Sequence, residues 1–364
     1  MPPGADVPAS ASADGGLRVR GGPRRTGSEA SPEAAATPTP AAGDSVPADS
    51  GAPSLVVLSY LNRSGSTFLA RLLSEYEDVA VSLEAQFDDG LVRASRRIAN
   101  EADLDALLAD LAVDPKFSGW GVDSAALKAR LAPAGYPVTY PAFLRAALSE
   151  ALGDDARVHL YKNGRYLEQP EAFRRQFPDA KMIFVLRDPR AVFASQKRSL
   201  DSRTGDPMSS QPAFTARWFR RMVETLDRLA DAPWLCVVRY EDLLARPADE
   251  CGRVLDFLGA SRRRRADGTE YADRIPEAQR HLHQKVGGAA DPKRLEAWRT
   301  ELTAAEIAAI DAAAGDTLAR AGYEPASPHL SPAARLQAAW LQWRGLSQYT
   351  WARLRWNLVT KPRR

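Results

Sequence analysis

Short apolar runs alternate with stretches of helical periodicity along most of this chain. The first run, "SLVVLSYL" (54–61), passes through a glycine-containing turn into "STFLARLLSEY", whose apolar positions recur with a helical period. This order predicts a strand, a loop and a helix. Similar runs rich in β-branched residues predict four further strands, at "VAVSL" (79–83), "RVHLYK" (157–162), "AKMIFVLRD" (180–188) and "WLCVVRYED" (234–242).

Helical segments are expected between and beyond these strands. They are predicted within 91–150, where Pro and Gly interrupt them, near 169–177, from Pro189 onward, and over 246–258. Strands that alternate with helices indicate parallel neighbours, because a parallel pair needs a crossover connection. The predicted fold class is α/β, with a parallel β-sheet flanked by helices.

Polar residues follow directly after several of the predicted strands. They are the loop Asn62–Thr67, Glu84, Lys162 and Arg187. Ligands of open α/β sheets bind beyond the carboxyl ends of the strands. We therefore expect these residues to converge on one crevice.

The first loop, "NRSGSTFL" (62–69), has the composition of an anion site. A turn that enters a helix directs backbone N–H groups and the positive helix end at one point. Ser64, Ser66 and Thr67 add hydroxyls, Gly65 allows close approach of the backbone, and Arg63 supplies a charge. The alternative is an ordinary helix start capped by Ser or Thr. A nucleotide loop of the G-x-x-x-x-G-K-[ST] type is disfavoured because no Lys follows Gly65.

A second stretch, "FVLRDPRAVFASQKRS" (184–199), predicts another anion contact. Arg187 closes a buried strand, Asp188 is expected to cap the next helix, and Pro189 suits its first turn. Ser195 follows about two turns later, so that Arg187 and Ser195 could hold a second phosphate. A structural salt bridge is the alternative for Arg187.

Composition divides the chain into three parts. Residues 1–53 have no Phe, Tyr or Trp and many Pro, Ala, Ser and Gly, which predicts a disordered leader. They carry a net charge of −2, residues 331–364 carry +7 with no acid, and the body between them carries −2. A slightly acidic body argues against nucleic-acid binding. Residues 54–324 are the expected domain, and 325–364 form a basic, Trp-rich tail.

The remaining features favour a cytoplasmic protein without a metal. The two cysteines are too few for a disulfide framework and lack the grouping of a zinc site, and no apolar segment has the length of a signal peptide or membrane span.

In the tail, six residues recur at near-helical intervals: Leu336, Trp340, Trp343, Thr350, Leu354 and Leu358. This pattern predicts a basic amphipathic helix that either docks its aromatic side onto the domain or makes a peripheral contact with an anionic membrane.

Together these stretches resemble a known family. "NRSGSTFL" is similar to the 5′-phosphosulfate loop, and "LRDPRAVFASQKRS" to the 3′-phosphate motif, of sulfotransferases that use 3′-phosphoadenosine 5′-phosphosulfate (PAPS). The resemblance continues through "YKN", "VVRYEDLLARPADECGRVLDFLG" (237–259) and "EAWRTELTAAEIAAIDAAAGDTLARAGY" (296–323). The last segment resembles the closing segment of bacterial and carbohydrate-type members. It implies the P-loop NTPase-like sulfotransferase fold.

The resemblance also implies roles for individual residues. Arg63, Ser64, Gly65, Ser66 and Thr67 would bind the 5′-phosphosulfate of the co-substrate PAPS, and Arg187 and Ser195 its 3′-phosphate. Cytosolic members close over the nucleotide with "RKG", which is absent here, so that Lys285, Lys293 or Arg294 are the candidates for that contact.

On the acceptor side the chain departs from the cytosolic pattern "KTHLP". In "YKNGRY", Lys162 matches the Lys, but Gly164 stands at the position of the His, which is the base in those members. Carbohydrate-type members carry an acid after the second strand, which makes Glu84 the expected base, unless it is a helix-start or surface carboxylate. Arg63 and Lys162 would stabilise the transferring group. The acceptor would be a hydroxyl on a glycan, a lipid or a small metabolite.

Two other functions remain open at this point. One is a phosphotransferase related to P-loop kinases, which the missing Gly-Lys pair disfavours. The other is a catalytically silent protein that binds a nucleotide or a partner, which the presence of Arg63, Lys162, Arg187 and Ser195 disfavours.

Overall fold

A computed structural model describes residues 51–84, 97–200, 205–266, 295–326 and 329–360. Within them, five strands form one parallel sheet in the order β2-β3-β1-β4-β5. The strands are β1 (Ser54–Tyr60), β2 (Val79–Val81), β3 (Val158–Lys162), β4 (Lys181–Leu186) and β5 (Leu235–Arg239). The predicted α/β class with a parallel sheet is confirmed. The predicted leader, residues 1–53, lies outside the described residues except for its last three.

The helices alternate with the strands, as predicted. In the first half of the chain they are α1 (Ser66–Ser74), α2 (Glu101–Ala112), α3 (Pro115–Ser118), α4 (Ser124–Leu131), α5 (Tyr140–Leu152) and α6 (Pro170–Gln176). Polar side chains begin many of them and accept a hydrogen bond from the first turn, as Asn100 does for α2 and Asp114 for α3.

The second half of the described chain contains longer helices. They are α7 (Pro189–Arg198), α8 (Pro212–Arg228), α9 (Tyr240–Ala245), α10 (Pro247–Leu258), α11 (Trp298–Glu301), α12 (Ala304–Ala314), α13 (Thr317–Arg320) and α14 (Pro332–Thr360). Asp188 caps α7 by accepting a hydrogen bond from the Arg190 N–H, as predicted. The helix expected over 246–258 is α10, whereas the strand expected over 234–242 ends at Arg239, directly before α9 begins.

The sheet is the centre of the core. β1, β3 and β4 are buried along almost their whole length, which explains why their sequences are continuous apolar runs rather than alternating ones. Because the strands are parallel, all five carboxyl ends meet at one edge. The predicted functional residues lie at this edge.

The tail forms the long helix α14, which contacts α8 and α12. Its docked face consists of Ala338, Leu341, Gly345 and Tyr349. Gly345 packs directly against Ala213, and the ring of Tyr349 meets Trp218 edge-on at 5.2 Å between centroids.

The aromatic side of α14 does not dock, contrary to one of the two expectations for the tail. We name as the outer stripe five large apolar residues that stay exposed on the side opposite the docked face: Leu336, Trp340, Trp343, Trp351 and Leu354. The docked face instead combines Ala338 and Gly345 with Leu341 and Tyr349, and its small residues let α14 approach α8 closely. No helix among the described residues is long and apolar enough to cross a membrane.

Candidate active site

The loop between β1 and α1 presents unsatisfied polar groups at a helix start. Gly65 occupies the N-cap position with φ of 97°, and no side chain caps α1. The alternative of a Ser or Thr cap is therefore wrong. The hydroxyl oxygen of Ser64 is buried and has no hydrogen-bond partner among the described residues. A buried unpaired hydroxyl at an uncapped helix N-terminus is suited to an anion.

Side chains from α7 and the end of β4 hold this loop through its carbonyl oxygens. Arg187 Nη1 donates to the Arg63 carbonyl at 3.1 Å, and Gln196 Nε2 donates to the Asn62 carbonyl at 3.0 Å. Gln196 is itself fixed by Thr215 of α8, whose hydroxyl donates to its Oε1 at 2.7 Å. The loop is thus anchored without using its hydroxyl groups.

One contact joins the two predicted anion motifs. Arg63 Nε donates to the hydroxyl of Ser195 at 3.2 Å, across 132 residues of sequence. Arg63 also has φ of 73°, a left-handed conformation that is uncommon for a residue with a side chain. The structure therefore brings Arg63, Arg187 and Ser195 to one place, as the sequence predicts.

Tyr240, which follows β5, packs against both Arg187 and Gly65. The Arg187 guanidinium lies over its ring at 4.3 Å from the centroid, and a Cβ atom at Gly65 would collide with the same ring. The Arg187 Nε is buried without a partner among the described residues. A structural salt bridge does not account for Arg187, since none of the described carboxylates pairs with it.

Glu84 and Lys162 meet at the carboxyl ends of β2 and β3. Lys162 Nζ donates to Glu84 Oε2 at 3.2 Å and to the hydroxyl of Thr67 at 2.9 Å. Lys116 of α3 donates to the other carboxylate oxygen of Glu84 at 2.6 Å. Trp120 fixes the backbone beside Glu84, since its indole N–H donates to the Leu83 carbonyl at 3.2 Å. Two ammonium groups therefore share one carboxylate next to the loop.

Burial and the charge of the partner shift the pKa of Glu84, and that of Lys162, in opposite directions. Burial would raise the pKa of Glu84, but the ammonium groups of Lys162 and Lys116 outweigh it, and the pKa lies well below its usual range. Burial lowers the pKa of Lys162, and Glu84 opposes that effect while Arg63 adds to it. In this arrangement Glu84 is a carboxylate at neutral pH.

Comparisons with known proteins agree with these motifs. A family described as the Sulfotransferase family matches residues 55–263, which is more than half of the chain. This chain belongs to the sulfotransferase family.

Individual relatives of this sulfotransferase are more distant. The Nodulation protein NoeE of Sinorhizobium fredii (strain NBRC 101917 / NGR234) is 29% identical over 303 residues, which cover 76% of this chain and 68% of that protein. The sulfotransferase domain from the curacin biosynthetic pathway matches 75% of this chain and 98% of its own with a TM-score of 0.49 and 16% identity. Mouse sulfotransferase SULT7A1, complexed with PAP, matches 83% of this chain and 87% of its own with a TM-score of 0.33 and 10% identity.

Gly164 occupies the position at which cytosolic sulfotransferases of the "KTHLP" pattern carry His. A Cβ atom there would lie 2.8 Å from the Tyr60 carbonyl oxygen, so that a larger residue does not fit without a shift of the backbone. The Gly164 carbonyl also accepts a hydrogen bond from the Ser59 hydroxyl at 3.0 Å. The geometry agrees with the absence of a basic side chain at this position.

The three candidates for the closing contact, Lys285, Lys293 and Arg294, lie outside the described residues. Three aromatic residues of the helical region after β2, Phe117, Trp120 and Tyr140, are buried in the core.

Three residues of this sulfotransferase site were missed by sequence reasoning. Tyr240 directly follows β5, so the rule that picked out Glu84, Lys162 and Arg187 could have found it. Gln196 is adjacent to Ser195 but carries no signal that separates it from a surface polar residue. Lys116 lies in a helical region 32 residues after Glu84, and no local pattern links the two.

Proposed function

We propose that this sulfotransferase transfers a sulfuryl group from PAPS to an acceptor hydroxyl. PAPS carries two anionic ends, a 5′-phosphosulfate and a 3′-phosphate. The observation that supports it as donor is the Arg63–Ser195 hydrogen bond, which joins two anion motifs that are far apart in sequence. A single phosphate would need only one of them.

The residues present fit such a ligand. The buried hydroxyl of Ser64 and the buried Nε of Arg187 are donors without partners among the described residues, and an anion would satisfy both. A Cβ atom at Gly65 would collide with the ring of Tyr240, so glycine is needed for this ring to pack against the loop. In the proposal, Arg63, Ser64, Gly65, Ser66 and Thr67 bind the 5′-phosphosulfate, and Arg187 and Ser195 bind the 3′-phosphate.

Lys162 is the proposed stabiliser of the transition state. PAPS supplies the sulfuryl group and a phosphate leaving group, and negative charge spreads over the sulfuryl and bridging oxygens as the acceptor attacks. Lys162 is almost fully buried and is held beside the loop by Thr67, so its charge acts in a medium that screens it weakly. Arg63 contributes a second positive charge from the loop itself.

Glu84 is the proposed general base. Its carboxylate takes the proton of the acceptor hydroxyl while the new S–O bond forms and the S–O bond to the leaving phosphate breaks. A carboxylate held by two ammonium groups is a weak base. We propose that Lys162 turns toward the sulfuryl oxygens when the donor binds, which removes one of the two charges and raises the pKa of Glu84. No metal ion is assigned a role in this scheme.

The proposed acceptor is a carbohydrate or a small metabolite. The acid after β2 supports this choice, since its placement resembles that of carbohydrate-type sulfotransferases. Cys236 and Cys251 are both buried and unpaired, which supports a reducing compartment such as the cytoplasm.

The direct test is transfer of radiolabelled sulfate from PAPS to a panel of sugars, glycolipids and small alcohols. We expect a labelled product with the wild-type protein and a loss of about 10²–10⁴-fold in turnover for Glu84→Gln. Glu101→Gln, which removes an exposed carboxylate from α2, is the control and should leave turnover unchanged. Equal turnover in Glu84→Gln and wild type would remove Glu84 as the base. Failure to label any acceptor, together with no PAPS binding, would reject the activity.

The outer stripe of α14 supports a further part of the proposal, a peripheral contact with an anionic membrane. Three exposed Trp residues and two exposed Leu residues lie along one side of the helix, opposite the docked face. Residues 331–364 have seven basic residues and no acid, so the charge around the stripe is complementary to anionic lipids.

Vesicle sedimentation tests this contact. We expect binding to vesicles that contain phosphatidylserine and weaker binding to pure phosphatidylcholine. Replacing Trp340, Trp343 and Trp351 by Ser should abolish binding, whereas replacing Trp234, which packs on Phe173 far from the tail in sequence, by Phe should not. Binding that survives the triple substitution would reject the stripe as the contact, and a concentration-dependent dimer lost in the same variant would indicate a second copy of the chain instead.

A further inference from the structure

A second cluster of positive charge lies away from the crevice, between α8 and α14. It surrounds a cavity of about 400 Å³. The charged residues that line it are Arg217, Arg220, Arg221, Glu224, Arg228 and Arg353. Five guanidinium groups and one carboxylate therefore face one small space.

The two helices create this cluster by their periodicity. Positions 217, 220, 221, 224 and 228 of α8 are three or four residues apart and lie on one side of the helix, away from its buried face. Arg353 reaches the same space from α14, one turn after Tyr349. The docked face of α14 fixes the distance between the helices, because Gly345 is in contact with Ala213.

The positive charges in the cavity are only partly compensated, because the Glu168 carboxylate, which pairs with Arg165 at 3.6 Å, attracts Arg221 and Arg353 without an ion-pair contact. Arg220 Nε pairs with Glu224 at 2.8 Å. The other four arginines have no carboxylate in ion-pair contact within the described residues. Their hydrogen bonds are long and go to neutral groups: Arg217 reaches the amide oxygen of Gln342 at 3.4 Å, and Arg221 the Glu168 carbonyl at 3.3 Å.

Arg217 shows this imbalance most clearly. Its Nε is buried and has no partner among the described residues. Burial and the neighbouring charge of Arg220 lower the pKa of its guanidinium. Four like charges at close range destabilise the protein unless a counter-charge is present, so an anion bound here would relieve the repulsion.

We propose that this cavity binds a molecule that carries two or more phosphate or sulfate groups. Planar guanidinium forks match the oxygens of such groups, and several arginines on one wall bind them better than a single cation. The volume is that of a site for a small ligand. The ring of Tyr349 also lines the cavity, and a sugar or inositol could pack against it.

This site is distinct from the proposed PAPS site. Among the described residues, none of the cavity arginines contacts the loop Asn62–Thr67, Arg187 or Ser195. The polyphosphate group could belong to a soluble molecule or to a lipid headgroup, and the exposed outer stripe of α14 would bring the cavity close to a membrane surface.

Calorimetry with two matched probes tests the site. Inositol 1,4,5-trisphosphate represents the soluble source, and vesicles with phosphatidylinositol 4,5-bisphosphate represent the lipid source. Saturating PAP is present throughout, so that the crevice cannot bind either probe. We expect binding of at least one probe, and a loss of about ten- to hundredfold in affinity for Arg217→Gln/Arg228→Gln.

The matched control is Arg246→Gln/Arg263→Gln, which removes two exposed charges outside both the cavity and the tail and should bind as the wild type does. Binding of both probes indicates that the phosphates suffice, and binding of the vesicles only indicates a lipid headgroup. Either result supports the site if the cavity variant loses that binding, because vesicle binding that the cavity variant retains comes from the outer stripe.

Two results would overturn the inference. One is no binding of either probe in the presence of PAP, and the other is equal weakening in the cavity and control variants. The cavity variant should fold, since it removes mutually repelling charges, and its melting temperature should equal or exceed that of the wild type. Arg353→Gln on α14 provides an independent second variant. Sulfate transfer should persist in all of them, so this test and that of the proposed function can fail separately.

Discussion

The crevice has two halves that are built in different ways. On one side the loop after β1 is held through its carbonyl oxygens by Arg187 and Gln196, and its unpaired donors are left for a ligand. On the other side Glu84 holds Lys116 and Lys162 in a network of charges.

This difference separates binding from chemistry. The loop half can bind an anion through donors that have no partner, because the bonds that anchor the loop go to its carbonyl oxygens. The carboxylate half cannot act on an acceptor until Lys162 exchanges Glu84 for a new partner. We therefore expect substitutions in the loop half to weaken nucleotide binding and substitutions in the carboxylate half to change turnover.

Lys162→Met should lower turnover more than either Gly65→Ala or Lys116→Met. It removes the buried positive charge and leaves the shape of the side chain nearly unchanged, and the loss of one such preorganised donor typically lowers turnover by about 10²–10³-fold. Single-turnover sulfate transfer measures it. Binding of PAP should change much less, since the loop half is intact.

The control is Lys181→Met on β4, which removes an ammonium group that donates to the Phe257 carbonyl at 2.7 Å. Its turnover should stay near that of the wild type. If Lys162→Met instead transfers sulfate at a similar rate to this control, the assigned role of Lys162 is wrong.

Gly65→Ala should break the loop half. The added Cβ would collide with the ring of Tyr240, and φ of 97° is unfavourable for Ala. We expect PAP affinity to fall by more than about tenfold, which corresponds to about 1.4 kcal/mol. Gly153→Ala is a matched control, since Gly153 also has a positive φ of 73° but has open space around it. Equal affinities in the two variants would show that the collision of residue 65 with Tyr240 does not affect PAP binding.

Lys116→Met should have the smallest effect on turnover at neutral pH. Its main effect should be on the acid side of the pH profile. Lys116 is one of two charges that lower the pKa of Glu84, so its removal raises that pKa toward the ordinary value of about 4.3. The active form is the carboxylate, which is lost as the pH falls through its pKa. The acid limb of the kcat/KM profile should therefore move to higher pH.

A pH series of sulfate transfer measures this shift. Lys128→Met is the control, because Lys128 pairs with Asp105 and Glu101 on the neighbouring helix α2 and does not contact Glu84. An acid limb that stays in place in Lys116→Met, or that moves equally in Lys128→Met, would disconnect Lys116 from the titrating group.

The loop half could be predicted from sequence because its parts are local. The loop residues 62–67 and Arg187 directly follow apolar strands, and a parallel sheet brings such positions to one edge. The cap by Asp188 follows in the same way from its position before Pro189. Which atoms are left unpaired could not be predicted, because that depends on contacts between segments more than 100 residues apart.

The carboxylate half and the tail show why the rest could not be predicted. Lys116 reaches Glu84 only because α3 folds back over β2 and β3, and no spacing in the sequence records that contact. In α14 the apolar pattern marks the outer stripe, whereas the face that docks contains Ala338 and Gly345, which have little or no side chain to produce a pattern. Helix α8 contains Thr215, which donates to Gln196, and five of the six charged cavity residues. This helix was likewise not predicted from the sequence.

The central claim is that the loop Asn62–Thr67, Arg187 and Ser195 of α7 together form one site for a nucleotide with a 3′-phosphate. Calorimetric titration with PAP and with adenosine 5′-phosphate, which lacks the 3′-phosphate, tests it without knowledge of the acceptor. We expect wild type to prefer PAP, and Arg187→Gln to lose about ten- to hundredfold in PAP affinity while binding adenosine 5′-phosphate nearly as before. Equal affinity of wild type for the two nucleotides, or an unchanged preference in Arg187→Gln, would contradict the account.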